Sequence, residues 1–184
     1  MIVFLDGTLG VGKTAVIKKI EELDEKNTTI QVMEADRYFQ QYIHERVEIA
    51  KKNNTFPFLG GGCLPQNNLF FVKKYREEIQ KKVDDFIVIS DMALTMKESK
   101  ENLYDYFIAQ GVKVVHIILE AKKETIRERI LNDGNRDKQL ALERLDEFVG
   151  YLNSNYDDAI RISTDGKDID EITQKVLSIL KSKM

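Results

Sequence analysis

Between Gly7 and Thr14 the chain reads Gly-Thr-Leu-Gly-Val-Gly-Lys-Thr. The spacing G-x-x-x-x-G-K-T is one that cradles phosphate. Its glycines let the backbone turn tightly and aim successive N–H groups at an anion. A helix opening directly behind the loop adds the positive end of its dipole. Gly7, Thr8, Leu9, Gly10, Val11, Gly12, Lys13 and Thr14 are therefore the candidate nucleotide-binding loop. Lys13 would reach the β- and γ-phosphates, and the Thr14 hydroxyl would ligate Mg²⁺. The cofactors this chemistry asks for are ATP and Mg²⁺.

Other residues have types and positions suited to the same chemistry. Asp91 follows an apolar run, where a carboxylate holds Mg²⁺ directly or through water; it also suits a turn or a helix cap. Glu34 and Asp36 stand two residues apart just past a second apolar run. If extended geometry persists there, both point to one side. Either could take the proton of a hydroxyl attacking the γ-phosphate, although Asp36 is equally suited to cap a helix. Arg37 would anchor the acceptor or balance these carboxylates. Arg127, Arg129 and Arg136 bracket the break Asn132-Asp133-Gly134-Asn135. Helix, short break and helix make the form of a lid, at about 127–140. Arginines carried by a lid stabilise charge on a transferring phosphoryl group, and Arg129 and Arg136 are the candidates for that role. Gln66, Tyr38, Phe58 and Phe70 could line a pocket for a ring-shaped acceptor, with Phe70 fitting a core equally well. Gly60-Gly61-Gly62 suits a substrate loop. His116 lies within an apolar run and reads as a structural imidazole.

These residues need elements to position them. Ile2 to Leu5 is a short buried strand, and Val16, Ile17, Ile20 and Leu23 recur behind the loop at helical spacing. Strand patterns follow at 29–33, 86–89, 112–119 and 159–162. Helical patterns fill about 13–26, 38–53, 67–84, 97–110, 122–131, 138–155 and 169–180. Alternating strands and helices predict a three-layer α/β fold, with a five-stranded parallel sheet covered on both faces. Ligands in such sheets sit at the carboxyl edge of the strands. The loop, Glu34/Asp36/Arg37, Asp91 and Thr164-Asp165-Gly166 all fall at that edge.

Composition narrows the classes further. At 184 residues with ordinary charged and apolar fractions, the chain predicts one globular domain, 1–184. A net charge of −3 gives no global basic field and argues against a nucleic-acid partner. Cys63 is the only cysteine, which excludes an internal disulfide and a cysteine-built zinc site. No apolar run has membrane-spanning length, and the opening run is too short for a signal peptide. The expected location is cytoplasmic. The apolar helix face at 67–83 fits the core or a homodimer interface equally.

In these features the chain resembles the P-loop kinases of the nucleoside/nucleotide kinase group, and two branches compete. It is similar to the deoxynucleoside kinases in Gly7–Thr14, in Glu34, in Gln66 followed by Phe70, Phe71 and Lys74, in Asp91, in Arg129-Ile130 with Arg136-Asp137, and in Tyr151-Leu152 with Tyr156. That resemblance implies Glu34 as base, Gln66 reading the nucleoside base, and Arg129 and Arg136 on phosphates. Those kinases carry Asp/Glu-Arg-Ser after strand three, and here Asp91-Met92-Ala93 stands instead, without the arginine. The small-molecule and polynucleotide kinases are resembled in Ala35-Asp36-Arg37-Tyr38 and in Ser90-Asp91 with Thr95. That resemblance implies Asp36 as base and Arg37 as a substrate contact. The expectation is an ATP- and Mg²⁺-dependent kinase acting on a small, nucleoside-like acceptor. The alternatives are another small molecule or a polynucleotide 5′-hydroxyl as acceptor, or a non-catalytic nucleotide switch or NTP hydrolase. No Asn-Lys-x-Asp guanine-reading motif is present.

Overall fold

A computed structural model describes residues 1–24, 29–55, 65–134 and 138–184, with side chains from residue 69 onward in the helix that opens at Pro65. Five strands form one sheet: β1 (Ile2–Asp6), β2 (Ile30–Met33), β3 (Ile87–Ser90), β4 (Val114–Glu120) and β5 (Ile160–Ser163). All pairings are parallel, in the order β2-β3-β1-β4-β5. β1 lies in the centre, with Val3 beside Ile89 and Val115. Every residue of β1 is buried. A central parallel strand is covered on both faces, which is why Ile-Val-Phe-Leu shows no polar alternation.

Alternate β1 side chains feed two cores. Val3 and Leu5 pack with Val16, Ile17 and Ile20 of α1 (Lys13–Leu23) and with Ile172, Val176 and Leu180 of α9 (Ile169–Lys183). Ile2 and Phe4 face the other way. They join Val72, Tyr75 and Ile79 of α3 (Pro65–Gln80), together with Leu103 and Phe107. The last two sit on a helical stretch made of α4 (Lys97–Ser99), a π-helical turn (Lys100–Asp105) and α5 (Tyr106–Ala109). The period-two alternation of a strand assigns these residues to their layers. The buried face of α3 is therefore core rather than a free dimer face.

The remaining helices are α2 (Ala35–Lys52), α6 (Lys123–Asn132), α7 (Lys138–Glu143) and α8 (Leu145–Asn155). Ile126, Ile130, Ala141 and Leu145 form a third, smaller core that binds α6 to α7 and α8. Leu9 of the phosphate-type loop packs against it. Several boundaries shift from the sequence reading, α3 to Pro65–Gln80 and β4 to Val114–Glu120 among them, and two shifts have a structural meaning. The pattern over 138–155 is two helices meeting at Arg144, not one. α2 opens at Ala35 rather than near Tyr38, because an acceptor from another strand satisfies its first free N–H. Among the described residues no helix is long and apolar enough to cross a membrane.

Two adjacent strands set the position of the site. β1 leads into α1 on one face of the sheet, while β3 leads into the 97–109 stretch on the other. Adjacent strands whose following helices part to opposite faces leave a crevice at their carboxyl ends.

Candidate active site

The loop after β1 lines that crevice. Gly7 has φ 138° and Gly10 has φ 78°, values that side-chain-bearing residues rarely adopt. A Cβ on Gly7 would lie 2.5 Å from the Leu119 carbonyl oxygen, and one on Gly10 would lie 2.9 Å from Ile130 Cγ1. The loop is thus pressed between β4 and α6, with no room for side chains at those two points. Val11 is buried in the sheet core, and half-buried Leu9 packs against the α6–α8 core. At Val11 only backbone is left to face a phosphate. Helix α1 has Gly12 at its N-cap, no side-chain cap and no acidic residue in its first turn. Its first N–H groups and dipole are uncompensated, the condition that favours an anion.

Lys13 Nζ donates to the carbonyls of Gly7 (2.7 Å) and Thr8 (3.0 Å), so the ammonium lies along the inner rim of the loop. The Thr8 hydroxyl is buried without a hydrogen-bond partner among the described residues. A buried orphan hydroxyl costs free energy, and an anion in the loop would relieve it.

Asp91 connects three elements. Thr14 Oγ1 of α1 donates to its Oδ2 (3.3 Å), and the Ala35 N–H at the start of α2 donates to its Oδ1 (2.7 Å). The cap reading and the strand-end carboxylate reading describe the same residue. Burial pushes the Asp91 carboxyl above its ordinary value of 3.8; the Ala35 N–H and Lys13 oppose this, and Asp36 and Glu34 add to it. A buried carboxylate beside a hydroxyl and two further acids gains from a nearby cation. Two hard oxygen donors at an open cavity fit Mg²⁺, which takes one or two protein ligands and completes its shell with phosphates and water.

Glu34 and Asp36 do not share a side. Extended geometry ends at Glu34, the N-cap of α2, and Asp36 lies in the first helical turn. Two helical residues apart, side chains diverge. Glu34 pairs with Lys18 (3.8 Å) and Arg37 (3.5 Å) on the α1 side. Arg37 also reaches Glu21 (4.0 Å) and does not line the cavity. Asp36 does line it. On the opposite wall, Arg129 of α6 donates to the Thr164 hydroxyl (2.9 Å), the Thr164 carbonyl (3.2 Å) and the Val11 carbonyl (3.4 Å). It ties the lid-like helix to the end of β5. Arg127 lies 4.0 Å from Asp146, away from the cavity.

The cavity holds about 520 Å³. It brings together the loop, Lys13, Thr14, Asp36, Asp91 and Arg129, with Thr95 and Asp133 also on its wall. Phe39, Phe71, Met92, Met96 and Phe148 supply apolar lining. The sequence reading had offered Tyr38 and Phe70 for that lining instead. Tyr38 packs on Tyr75 and Tyr42, and Phe70 lies under the Arg46 guanidinium. Arg136, Phe58 and Gly60-Gly61-Gly62 fall outside the described residues, as does the side chain of Gln66.

Asp6 and the structural imidazole of His116 form a buried pair beneath the loop. Asp6 is fully buried. Its Oδ1 accepts from the N–H groups of Gly7 (2.6 Å) and Leu94 (3.1 Å), and its Oδ2 lies 3.0 Å from His116 Nε2. One carboxylate thus pins the first residue of the phosphate-type loop, the segment after Asp91, and β4. An acid directly before the first glycine was the available signal.

No family model matches the sequence, and no curated protein matches it. Solved structures do. The tunicamycin resistance protein of Deinococcus radiodurans is similar at 18% identity and TM-score 0.64, over 97% of this chain and 94% of that one. A sugar kinase from Janibacter sp. HTCC2649 is similar at 17% identity and TM-score 0.62, over 98% and 94%. The APS kinase of Mycobacterium tuberculosis is similar at 14% identity and TM-score 0.61, over 98% and 96%. Across almost its whole length, the chain has the three-layer α/β fold found in P-loop kinases.

Proposed function

We propose that the chain is an ATP-dependent kinase that phosphorylates a hydroxyl of a small acceptor, with a nucleoside-like alcohol as the first candidate. The loop amides and Lys13 hold the donor's phosphates. Thr14 and Asp91 hold Mg²⁺, which when bound neutralises charge on the phosphate oxygens. Asp36 accepts the acceptor's hydroxyl proton as the new O–P bond forms and the bond from the γ-phosphorus to the bridging oxygen breaks, releasing ADP. Arg129, with Arg136, stabilises charge on the phosphoryl group in flight. Residues 127–140 act as a lid over the donor, and Gln66 contacts the acceptor. The fold's likeness to a sugar kinase and an APS kinase supports phosphoryl transfer to a small molecule.

The observation that carries this reading is the shared cavity. Asp36, Lys13, Thr14 and Asp91 line one space of about 520 Å³, whose lining also includes Phe39, Phe71, Met92, Met96 and Phe148. A nucleotide switch needs the loop but not a carboxylate and rings lining the same cavity. The test is ATP turnover with and without a panel of nucleosides, nucleotides, sugars and 5′-hydroxyl oligonucleotides. The expected result is stimulation by a small alcohol, lost in Lys13→Ala with the fold intact by circular dichroism. Turnover that no acceptor changes, or full activity in Lys13→Ala, defeats the proposal.

A further inference from the structure

The buried pair beneath the loop does more than fill space. Asp6 Oδ1 accepts two backbone N–H groups, from Gly7 at 2.6 Å and from Leu94 at 3.1 Å. One oxygen serves both amides only over a narrow range of carboxylate tilt. That tilt is a rotation about a terminal bond, broad and roughly two-fold when nothing holds it. His116 Nε2, 3.0 Å from Asp6 Oδ2, is the group that holds it.

The imidazole is itself fixed. Its Nδ1 is buried with no hydrogen-bond partner among the described residues. A proton on Nδ1 would be a buried donor without an acceptor, which is costly. The form that fits is the ring with its one proton on Nε2, donated to Asp6. Tyr104 and Tyr156 pack on this ring, with centroids 5.1 Å and 4.5 Å away. Tyr156 caps α8 and donates from its hydroxyl to the Leu94 carbonyl at 2.9 Å. Leu94 therefore has its N–H on Asp6 and its carbonyl on Tyr156. Asp6, His116, Tyr156 and Leu94 close a circuit of contacts, and all four are buried.

The circuit touches the cavity at two places without lining it. Gly7 opens the phosphate-type loop. Leu94 sits inside the segment 91–96, whose other members Asp91, Met92, Ala93, Thr95 and Met96 all line the cavity. We propose that His116 is a positioning residue: by fixing the tilt of Asp6 it sets the phosphate-type loop against the segment 91–96 and so keeps the loop ready for nucleotide. This rests on the kinase reading only for the nucleotide in the loop. Preorganised sites lose affinity or rate when a supporting group lets them shift by a fraction of an ångström.

Two substitutions separate positioning from core filling. His116→Gln presents an amide N–H in place of Nε2–H. His116→Phe keeps a ring against Tyr104 and Tyr156 but has no donor. A non-hydrolysable ATP analogue with Mg²⁺ is titrated calorimetrically into the full-length chain and each variant, well below the lowest Tm. His116→Phe is expected to weaken binding about tenfold or more, and His116→Gln to stay within about threefold of wild type, even where both lower Tm. A residue that only filled the core would lower Tm and leave affinity unchanged. Wild-type affinity in His116→Phe, or an equal loss in both variants, overturns the proposal. Long-range proton–nitrogen NMR on the wild type needs no variant to fold. It is expected to show His116 protonated at Nε2 and bare at Nδ1, and the opposite form overturns the proposal. Failure of the kinase reading is separate: it shows as ATP turnover that no alcohol stimulates, and the affinity comparison still decides the role of His116.

Discussion

At the scale of single residues, Asp36 and Glu34 are two carboxylates separated by one position, with different environments. Glu34 is held between Lys18 and Arg37, and Asp36 looks into the cavity. A base must reach the proton it removes. Asp36→Asn is therefore expected to lower kcat by about a hundredfold or more. Glu34→Gln should leave kcat within about threefold, since Glu34 is held by two exposed cations rather than lining the cavity. Steady-state kinetics on the two variants checks this, and the reverse order of effects would reassign the base to Glu34. The phosphate-type loop was legible from residue types alone, because its chemistry is done by backbone and by two side chains at fixed offsets. The apolar lining of the cavity was not. Phe39 and Phe71 show the same apolar periodicity as core residues, and nothing in a periodic pattern says that one face looks into a cavity.

At the scale of elements, the site depends on how β1, β3 and β4 are held in register at their carboxyl ends. Asp6 does this from inside, joining Gly7, Leu94 and His116. Asp6→Ala leaves two buried N–H groups and an imidazole without their acceptor, and breaking such a buried set is expected to cost about 3 kcal/mol. Denaturant unfolding measures it; a loss under about 0.5 kcal/mol, the range of an inert surface change, would show that the carboxylate positions nothing. Strand and helix identities were readable because a buried parallel strand and an amphipathic helix have different periods. The start of α2 and the break at Arg144 were not. α2 opens early because Asp91, 56 positions away, accepts the Ala35 N–H, and a local pattern cannot report a cap supplied by another strand.

At the scale of the molecule, the cavity is assembled from pieces that only the sheet order brings together. The loop follows β1, Asp36 follows β2, Asp91 and Met96 follow β3, and Arg129 follows β4. A ligand spanning these pieces binds the folded state alone and stabilises it by mass action. At about 100 times its Kd, an ATP analogue with Mg²⁺ should add about 2.7 kcal/mol, seen as a rise in Tm. Chelating the metal should reduce that rise, and Lys13→Ala should remove it. An unchanged Tm in the wild type would mean that the loop does not hold nucleotide.

The layers and the phosphate-type loop were written in residue order alone, because both follow from local rules: periodicity sets which face is apolar, and glycine spacing sets where the backbone can bend. Strand pairing was needed to show which carboxylate lines the cavity, which apolar side chains join it, and that Asp6 ties the loop to its neighbours. Those depend on the direction of a side chain and on partners 50 to 110 positions away, which are set only once the strands have paired.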